Sequence, residues 1–174
     1  MAKPSITQNE LKQLFEYKDG NLYRLTTLGN YKVGMLAGGE KPKRTYRYIY
    51  VNGVNYLAHR LIYLYHHGLM PKFIDHKDEN KLNNTIENLR PATHQQNCLN
   101  IGIKKSNTSG VKGVSWHPRD KVWMAQIRIE GKKVFLGNYK DIAEAEKIVR
   151  LTRDKFHGEF INHGGVNHAV KEIT

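Results

Sequence analysis

The sequence predicts an α+β protein with two domains, the second a three-stranded antiparallel sheet packed on one helix. Its 174 residues are 39% hydrophobic, which is enough for globular cores. Apolar residues recur at helical spacing in some stretches and alternate with polar ones in others. A segment rich in Gly, Ser, Asn and Lys, residues 101–110, is typical of a linker. We therefore predict domains at 1–103 and 104–163, followed by a tail at 164–174.

The first domain is predicted to begin with a helix and to continue with a β-hairpin. Thr7 and Glu10 form a capping-box pattern ahead of apolar residues at helical spacing, which predicts a helix over roughly residues 7–17. Residues 45–58 contain two β-rich runs joined by Asn52-Gly53, the dipeptide best suited to a tight hairpin turn. Both predictions depend on local sequence alone.

A second predicted helix leads into an asparagine-rich segment. In "HRLIYLYHHGLMP", residues 59–71, apolar residues recur at helical spacing and Gly68 can form the C-cap. The segment that follows, "IDHKDENKLNNTIENLRPATHQQN", residues 74–97, has few core-forming residues. Asparagine and aspartate favour turns, so one interpretation is a long solvated loop.

The same segment also predicts a β-loop-β-helix arrangement. Residues 73–76 can form a short strand, residues 89–92 its antiparallel partner, and the threonine that follows can cap a helix. If that helix lies across the hairpin, Asn97 faces the strand that carries Asp75 and His76. Three polar side chains would then converge.

These three side chains offer coherent chemistry for cutting a phosphodiester bond. Asp75 and Asn97 supply the hard oxygen ligands that magnesium prefers, and His76 can be neutral near pH 7 and accept a proton from water. Zinc would require thiolates or more imidazoles. A magnesium ion with only two protein ligands keeps positions open for the substrate.

Two other interpretations of the segment are possible. A calcium-binding loop starting at Asp78 would need oxygen ligands at its fifth and twelfth positions, which are Leu82 and Leu89. Turn formation is the preferred interpretation for three asparagines of the loop, Asn80, Asn83 and Asn84.

We also expect His66, His67 and His94 at the surface, and Cys98 in the core.

The second domain is predicted to place an apolar and a basic surface on opposite faces of one sheet. Residues 111–137 contain three β-rich runs, with a turn at Glu130-Gly131. In the middle run, apolar residues alternate with polar ones that include Arg128. The helix that Asp141 can cap presents an apolar stripe predicted to cover the sheet: Ile142, Ala145, Val149, Thr152 and Phe156.

The charge of the chain indicates a polyanionic partner. There are 28 Lys and Arg residues against 16 Asp and Glu, a formal net charge of +12, of which each predicted domain carries +6. Two equally basic domains suggest that both contact the same nucleic acid. No apolar run is long enough to span a membrane. The single cysteine and the lack of a secretory signal favour a reducing cytoplasm.

The asparagine-rich segment resembles the HNH endonuclease motif, in the variant found in phage and intron homing endonucleases. The motif letters are "DHKDENKLNNTIENLR" followed by "QQN", and the similarity extends over residues 58–97. By this resemblance Asp75 and Asn97 bind a magnesium ion, which manganese can replace. His76 is the general base, and Asn88 orients His76 by a hydrogen bond.

The second domain resembles the DNA-binding domain of plant ethylene-response factors. The resemblance spans "GVSWHPRDKVWMAQIRIEGKKVFLGNYKDIAEAEKI". By position it implies a set of DNA-contacting residues, namely Lys112, Ser115, His117, Arg119, Gln126, Arg128, Lys133 and Phe135. His59 and Arg60, at the start of the second helix, can also contact phosphate, with a structural role as the alternative for both. A solvated charged face is the alternative.

Together these features predict a magnesium-dependent endonuclease of homing type that nicks double-stranded DNA in a bacterial host. One active site implies one strand cut per event, and no oligomer is implied. Two alternatives stay open. One is a noncatalytic DNA- or RNA-binding protein that retains the HNH fold, and the other is a structural RNA-associated protein.

Overall fold

The computed structural model describes residues 6–39 and 45–164. By its internal contacts the chain divides into two units between Pro91 and Ala92, earlier than the boundary predicted at residue 103. The predicted tail, 164–174, lies outside the described residues except for Gly164. Among the described residues no helix has the length and apolar character needed to cross a membrane.

Within residues 6–39 and 45–91, the first unit contains three two-stranded antiparallel sheets, two α-helices and one turn of 3₁₀ helix. A core of buried apolar side chains joins the two helices to the hairpins, with Leu11, Phe15, Leu22, Ile49, Leu61 and Ile62 at its centre. The elements in chain order are α1 Gln8–Leu14, β1 Phe15–Lys18, β2 Asn21–Arg24, β3 Tyr48–Val51, β4 Val54–Leu57, α2 Ala58–His67, β5 Ile74–His76 and β6 Leu89–Pro91.

Helix α1 is confirmed, but it is shorter than predicted. Thr7 and Glu10 form the expected reciprocal capping box. The helix ends at Leu14 because the next residues form a hairpin that the sequence analysis missed. Its turn is Asp19-Gly20, with φ of 47° and 76°, and Asp-Gly is one of the dipeptides that favour such a turn.

The β3–β4 hairpin and helix α2 are confirmed. Asn52 and Gly53 both adopt positive φ, 47° and 80°, as a tight hairpin turn requires. Helix α2 ends at Gly68, whose φ of 71° lies in the left-handed region that glycine tolerates. A short connection then leads to β5.

Strands β5 and β6 are confirmed as an antiparallel pair. Asp75 lies opposite Arg90, and His76 lies opposite Leu89. The intervening residues 77–88, here called the polar loop, end in a single turn of 3₁₀ helix at Ile86–Asn88. The register thus places a carboxylate beside a guanidinium in the middle of the hairpin.

The second unit contains the predicted three-stranded sheet and its helix, preceded by a short helix. Thr93 caps that short helix as expected, again in a reciprocal capping box, here with Gln96. The sheet has the order β7-β8-β9 and is antiparallel throughout. The elements are α3 His94–Leu99, β7 Val114–His117, β8 Val122–Ile129, β9 Lys132–Tyr139 and α4 Ile142–His157.

Helix α4 covers the sheet, and the first three residues of the predicted stripe, Ile142, Ala145 and Val149, pack into the core there. Ala145 and Val149 are fully buried, whereas Phe156 is 50% exposed. Arg153 and His157 take the buried positions instead. The buried positions therefore repeat every four residues along this part of the helix. Thr152 is half-buried, and the predicted burial of Phe156 was wrong.

Candidate active site

Strand β5 presents an aspartate and a histidine side by side, and both are buried. Asp75 is 4% exposed and His76 is 5% exposed. Arg90, opposite Asp75 in the hairpin, donates from Nε and Nη2 to Asp75 Oδ2 at 2.9 and 2.7 Å. A forked charge-assisted contact of this kind fixes the orientation of the carboxylate. The cross-strand register thus orients the proposed metal ligand.

The polar loop positions the imidazole of His76 through Asn84. Asn84 Oδ1 lies 2.9 Å from His76 Nε2, and Asn84 is itself 2% exposed. Because an amide oxygen only accepts hydrogen bonds, Nε2 carries the proton, and the neutral ring has its lone pair on Nδ1. Burial lowers the pKa of His76, and this outweighs Asn84, Asp78 and Asp75, which raise it. The ring is therefore neutral near pH 7.

The side chain of Asn88, which the resemblance assigns to orienting His76, bonds to Asp78 and Asn83. Its Nδ2 donates to Asp78 Oδ1 at 2.8 Å and to the carbonyl of Asn83 at 2.7 Å, and its Oδ1 accepts from the backbone of Asp78. Asn88 therefore crosslinks the two ends of the polar loop. Asn84, which the sequence analysis interpreted only as a turn former, makes the contact with His76.

A tyrosine and a second histidine lie beside His76. The His59 ring packs edge-on against the His76 ring, with 5.0 Å between centroids, and Tyr46 lies 5.4 Å from His59. Burial is the main cause that lowers the pKa of His59 to about 3, helped by His76 and Arg60. The His59 ring is therefore neutral and packs against His76 at one side of the site. His66, His67 and His94 are exposed, as predicted.

The proposed metal ligands Asp75 and Asn97 belong to different units of the chain, since Asn97 lies on α3. Their convergence stays a prediction. Their donor chemistry fits a hard divalent cation, because a carboxylate and an amide supply only oxygen. In residues 6–39 and 45–164 no three His, Cys, Asp or Glu side chains form a metal-binding group.

Five of the predicted DNA-contacting residues share the sheet face that points away from α4. Gln126 lies opposite Phe135, and Arg128 lies opposite Lys133, in the β8–β9 register. Ser115 lies opposite Met124 in the β7–β8 register. Met124 points to the same side of β8 as Gln126 and Arg128, because alternate residues of a strand share a face. We call this the outer sheet face, defined by Ser115, Met124, Gln126, Arg128, Lys133 and Phe135. Arg128, Lys133 and Phe135 are exposed.

The remaining predicted contacts lie elsewhere. Lys112 precedes the sheet, and its Nζ donates to the carbonyls of Leu99 and Asn162. Arg119 lies in the β7–β8 turn and pairs with Asp120 at 2.9 Å. His117 ends β7 with its Nδ1 3.4 Å from Asp120 Oδ2, and Arg60 lies on α2 in the first unit. Cys98 was predicted in the core, but it is exposed. None of the residues of α3 is fully buried.

Two residues of the site, Arg90 and Asn84, were not predicted from the sequence. The signal for Arg90 was present, because pairing the two predicted strands symmetrically places it opposite Asp75. For Asn84 no local signal existed. Its contact with His76 depends on how the polar loop folds back on β5, and asparagine there is equally consistent with a turn.

Comparisons with known proteins agree with the predicted motif. Residues 56–99 match the HNH endonuclease family. Protein 3.8 of Escherichia phage T7 is 39% identical over 95 residues, which cover 53% of this chain and 78% of that protein. An uncharacterized HNH endonuclease of Acanthamoeba polyphaga mimivirus is 37% identical over 105 residues, 59% of this chain. The chain spans only about half of that relative, 54%. No solved structure matches.

The family match has consequences for substrate and cofactor. HNH endonucleases act on nucleic acid and generally use a divalent metal ion. The match begins within β4 and ends at the last residue of α3, so it contains the β5–β6 hairpin, the polar loop and Asn97. Together with the extent of the phage relative, this shows that the chain belongs to the HNH endonuclease family.

Proposed function

We propose that this protein is a homing-type DNA endonuclease that nicks double-stranded DNA, with His76 as the general base. The observation that carries the proposal is the pairing of a buried carboxylate with a buried, neutral imidazole on β5, each held by its own polar partner. Arg90 orients Asp75, and Asn84 orients His76. Such an arrangement is costly to bury, and structural stability alone does not require it.

In the proposed reaction His76 accepts a proton from water at Nδ1, the nitrogen that the Asn84 contact leaves unprotonated. The water oxygen bonds to phosphorus, and the bond from phosphorus to the 3′ oxygen breaks. That oxygen takes a proton from solvent, so the products are a 3′-hydroxyl and a 5′-phosphate. General-base assistance of this kind is typically worth about 10²–10⁴-fold.

The proposed cofactor is Mg²⁺, with Mn²⁺ as a substitute, held by Asp75 and Asn97. When bound, it supplies positive charge to the phosphate and to the leaving oxygen. Asp75 contributes a carboxylate whose direction is set by Arg90. Because each ligand is one of only two from the protein, Asp75→Asn and Asn97→Ala should each weaken metal use.

Recognition of DNA is assigned to the outer sheet face, with Arg60 as an additional phosphate contact in the first unit. The cross-strand pair Arg128 and Lys133 offers two exposed cations, and Phe135 offers an exposed ring. A β-sheet of this width can enter a major groove. The proposed setting is the cytoplasm of a bacterial host, where phage or intron DNA would be the target.

Supercoiled plasmid provides the test. With MgCl₂ the protein should convert supercoiled DNA to the nicked form, and EDTA should stop the conversion. His76→Ala should not nick, although it should shift DNA in a gel as the parent does. DNA binding without nicking by the parent protein, with Mg²⁺ or Mn²⁺ present, would favour a noncatalytic binding protein. Nicking that survives EDTA would rule out the metal-dependent mechanism.

A further inference from the structure

Helix α3 carries Asn97 but has too few residues to be stable by itself. It spans six residues, and an isolated helix of that length is unstable in water. Thr93 and Gln96 satisfy its amino end. At its carboxyl end the final carbonyl groups have no partner within the helix and need donors from elsewhere. Those donors come from distant parts of the second unit.

Lys112 and Asn162 supply these donors. Lys112 Nζ donates to the carbonyl of Leu99, the last residue of α3, at 2.8 Å. Asn162 Nδ2 donates to the carbonyl of Asn100, the C-cap, at 2.7 Å. A lysine at this end also interacts favourably with the helix dipole. The carboxyl end of α3 is therefore capped by side chains located 13 and 62 residues further along the chain.

The two capping residues are themselves held in place. Asn162 is fully buried, its Oδ1 accepts from the backbone of Gly164 at 2.7 Å, and its carbonyl accepts from Lys112 Nζ at 2.9 Å. The buried Arg153 on α4 donates from Nη2 to the carbonyl of Lys112 at 2.9 Å. The carbonyls of Leu99, Asn100, Lys112 and Asn162 each accept a side-chain hydrogen bond in this network, and leaving any of them unpaired would be costly.

We propose that Lys112 and Asn162 are positioning residues of the endonuclease, which act by holding α3 and thereby Asn97. This rests on the proposed role of Asn97 as a metal ligand. Lys112 is then a structural cap and not the DNA contact that the resemblance implied. The second unit has a part in the chemistry as well as in DNA binding. A fragment ending at residue 103 would lack both capping residues. It should therefore lose metal use as well as DNA affinity.

The first test measures the helix directly, without activity. The amides of Asn97 and Asn100 donate to the carbonyls of Thr93 and Gln96, so their hydrogen exchange reports the order of α3. In Lys112→Met and Asn162→Ala their protection should fall about tenfold, the size expected from the loss of one buried hydrogen bond. Lys133→Met is the matched control, since it removes the same charge from the outer sheet face.

Protection of the Lys77 amide, which donates to the carbonyl of Asn88 in the first unit, should be unchanged in all variants. If Asn162→Ala does not fold, the Lys112 variants still give an answer, because Lys112→Arg keeps a donor and should retain protection that Lys112→Met loses. Equal protection of α3 in parent, Lys112→Met and Lys133→Met would overturn the capping role.

The second test connects the caps to metal use. At saturating DNA, Lys112→Met and Asn162→Ala should need several-fold more Mg²⁺ for half-maximal nicking. Lys133→Met should weaken DNA binding with no change in the Mg²⁺ requirement. Loss of α3 protection without a change in Mg²⁺ requirement would overturn the positioning role. A parent protein that shows the protection pattern but never nicks would instead contradict the proposed function.

Discussion

The polar loop and the outer sheet face are both rich in polar side chains, but they use them in opposite ways. In the loop, the side chains of Asn83, Asn84 and Asn88 each bond to another loop or strand residue. On the sheet face, Arg128 and Lys133 are exposed to solvent. Buried polar groups that bond to one another specify a geometry. Exposed cations remain available to an outside partner.

This difference indicates where chemistry and where recognition should be sought. A general base must be held in one orientation and one protonation state, which needs partners and burial. A surface that follows phosphates needs charge and access instead. Substitutions in the loop should therefore change rates and stability, and substitutions on the sheet face should change affinity and its salt dependence.

The largest effect is expected from His76→Ala. Nicking should fall by about 10²–10⁴-fold, because the group that accepts the proton is gone. DNA affinity in a gel-shift assay should stay nearly unchanged. If the variant nicks within about tenfold of the parent rate, His76 is not the general base.

The next largest effect is expected from Arg90→Ala, which removes the two hydrogen bonds that the guanidinium donates to the buried carboxylate of Asp75. The free energy of unfolding should fall by about 3–5 kcal/mol, as measured in urea. The double variant Asp75→Asn with Arg90→Ala should recover part of this loss, since the buried charge is then removed. A decrease in the free energy of unfolding below about 1 kcal/mol would show that the Asp75–Arg90 pair contributes no more than a typical surface ion pair.

A smaller effect should distinguish Asn84 from Asn88. Asn84→Ala removes the contact that places the proton on His76 Nε2, so nicking should fall about tenfold, the equivalent of one buried hydrogen bond. Asn88→Ala should mainly lower stability, because its side chain crosslinks the polar loop. Comparing the nicking rate with the urea midpoint for both variants checks this. If instead Asn88→Ala slows nicking and Asn84→Ala mainly lowers stability, Asn88 is the residue that orients His76.

The smallest effect is expected on the outer sheet face. Changing Arg128 and Lys133 together to Gln should flatten the slope of log affinity against log salt by about 1.8, if each contacts one phosphate. Lys140 and Lys147, exposed residues outside the outer sheet face, provide a control pair with the same loss of charge. Equal slopes for the two double variants would show that the face does not bind DNA.

The sequence by itself determined the elements whose signals are local. The capping boxes at Thr7 and Thr93, the Asn52-Gly53 turn and the C-cap at Gly68 all formed as predicted. Each depends on hydrogen bonds or backbone angles within a few residues, so no distant contact can easily override it. The β5–β6 pairing was predicted as well, although the polar loop separates the two strands.

Only the tertiary structure decided which polar side chains meet. Asn84 and Asn88 are chemically identical and four residues apart, and only the fold of the loop assigns one to His76 and the other to Asp78. The burial of Arg153 in place of Phe156, and the use of Lys112 as a cap for α3, also depend on long-range packing. Side chains of one type have the same hydrogen-bonding capacity wherever they occur, and their partners are set by three-dimensional proximity, which local sequence does not encode.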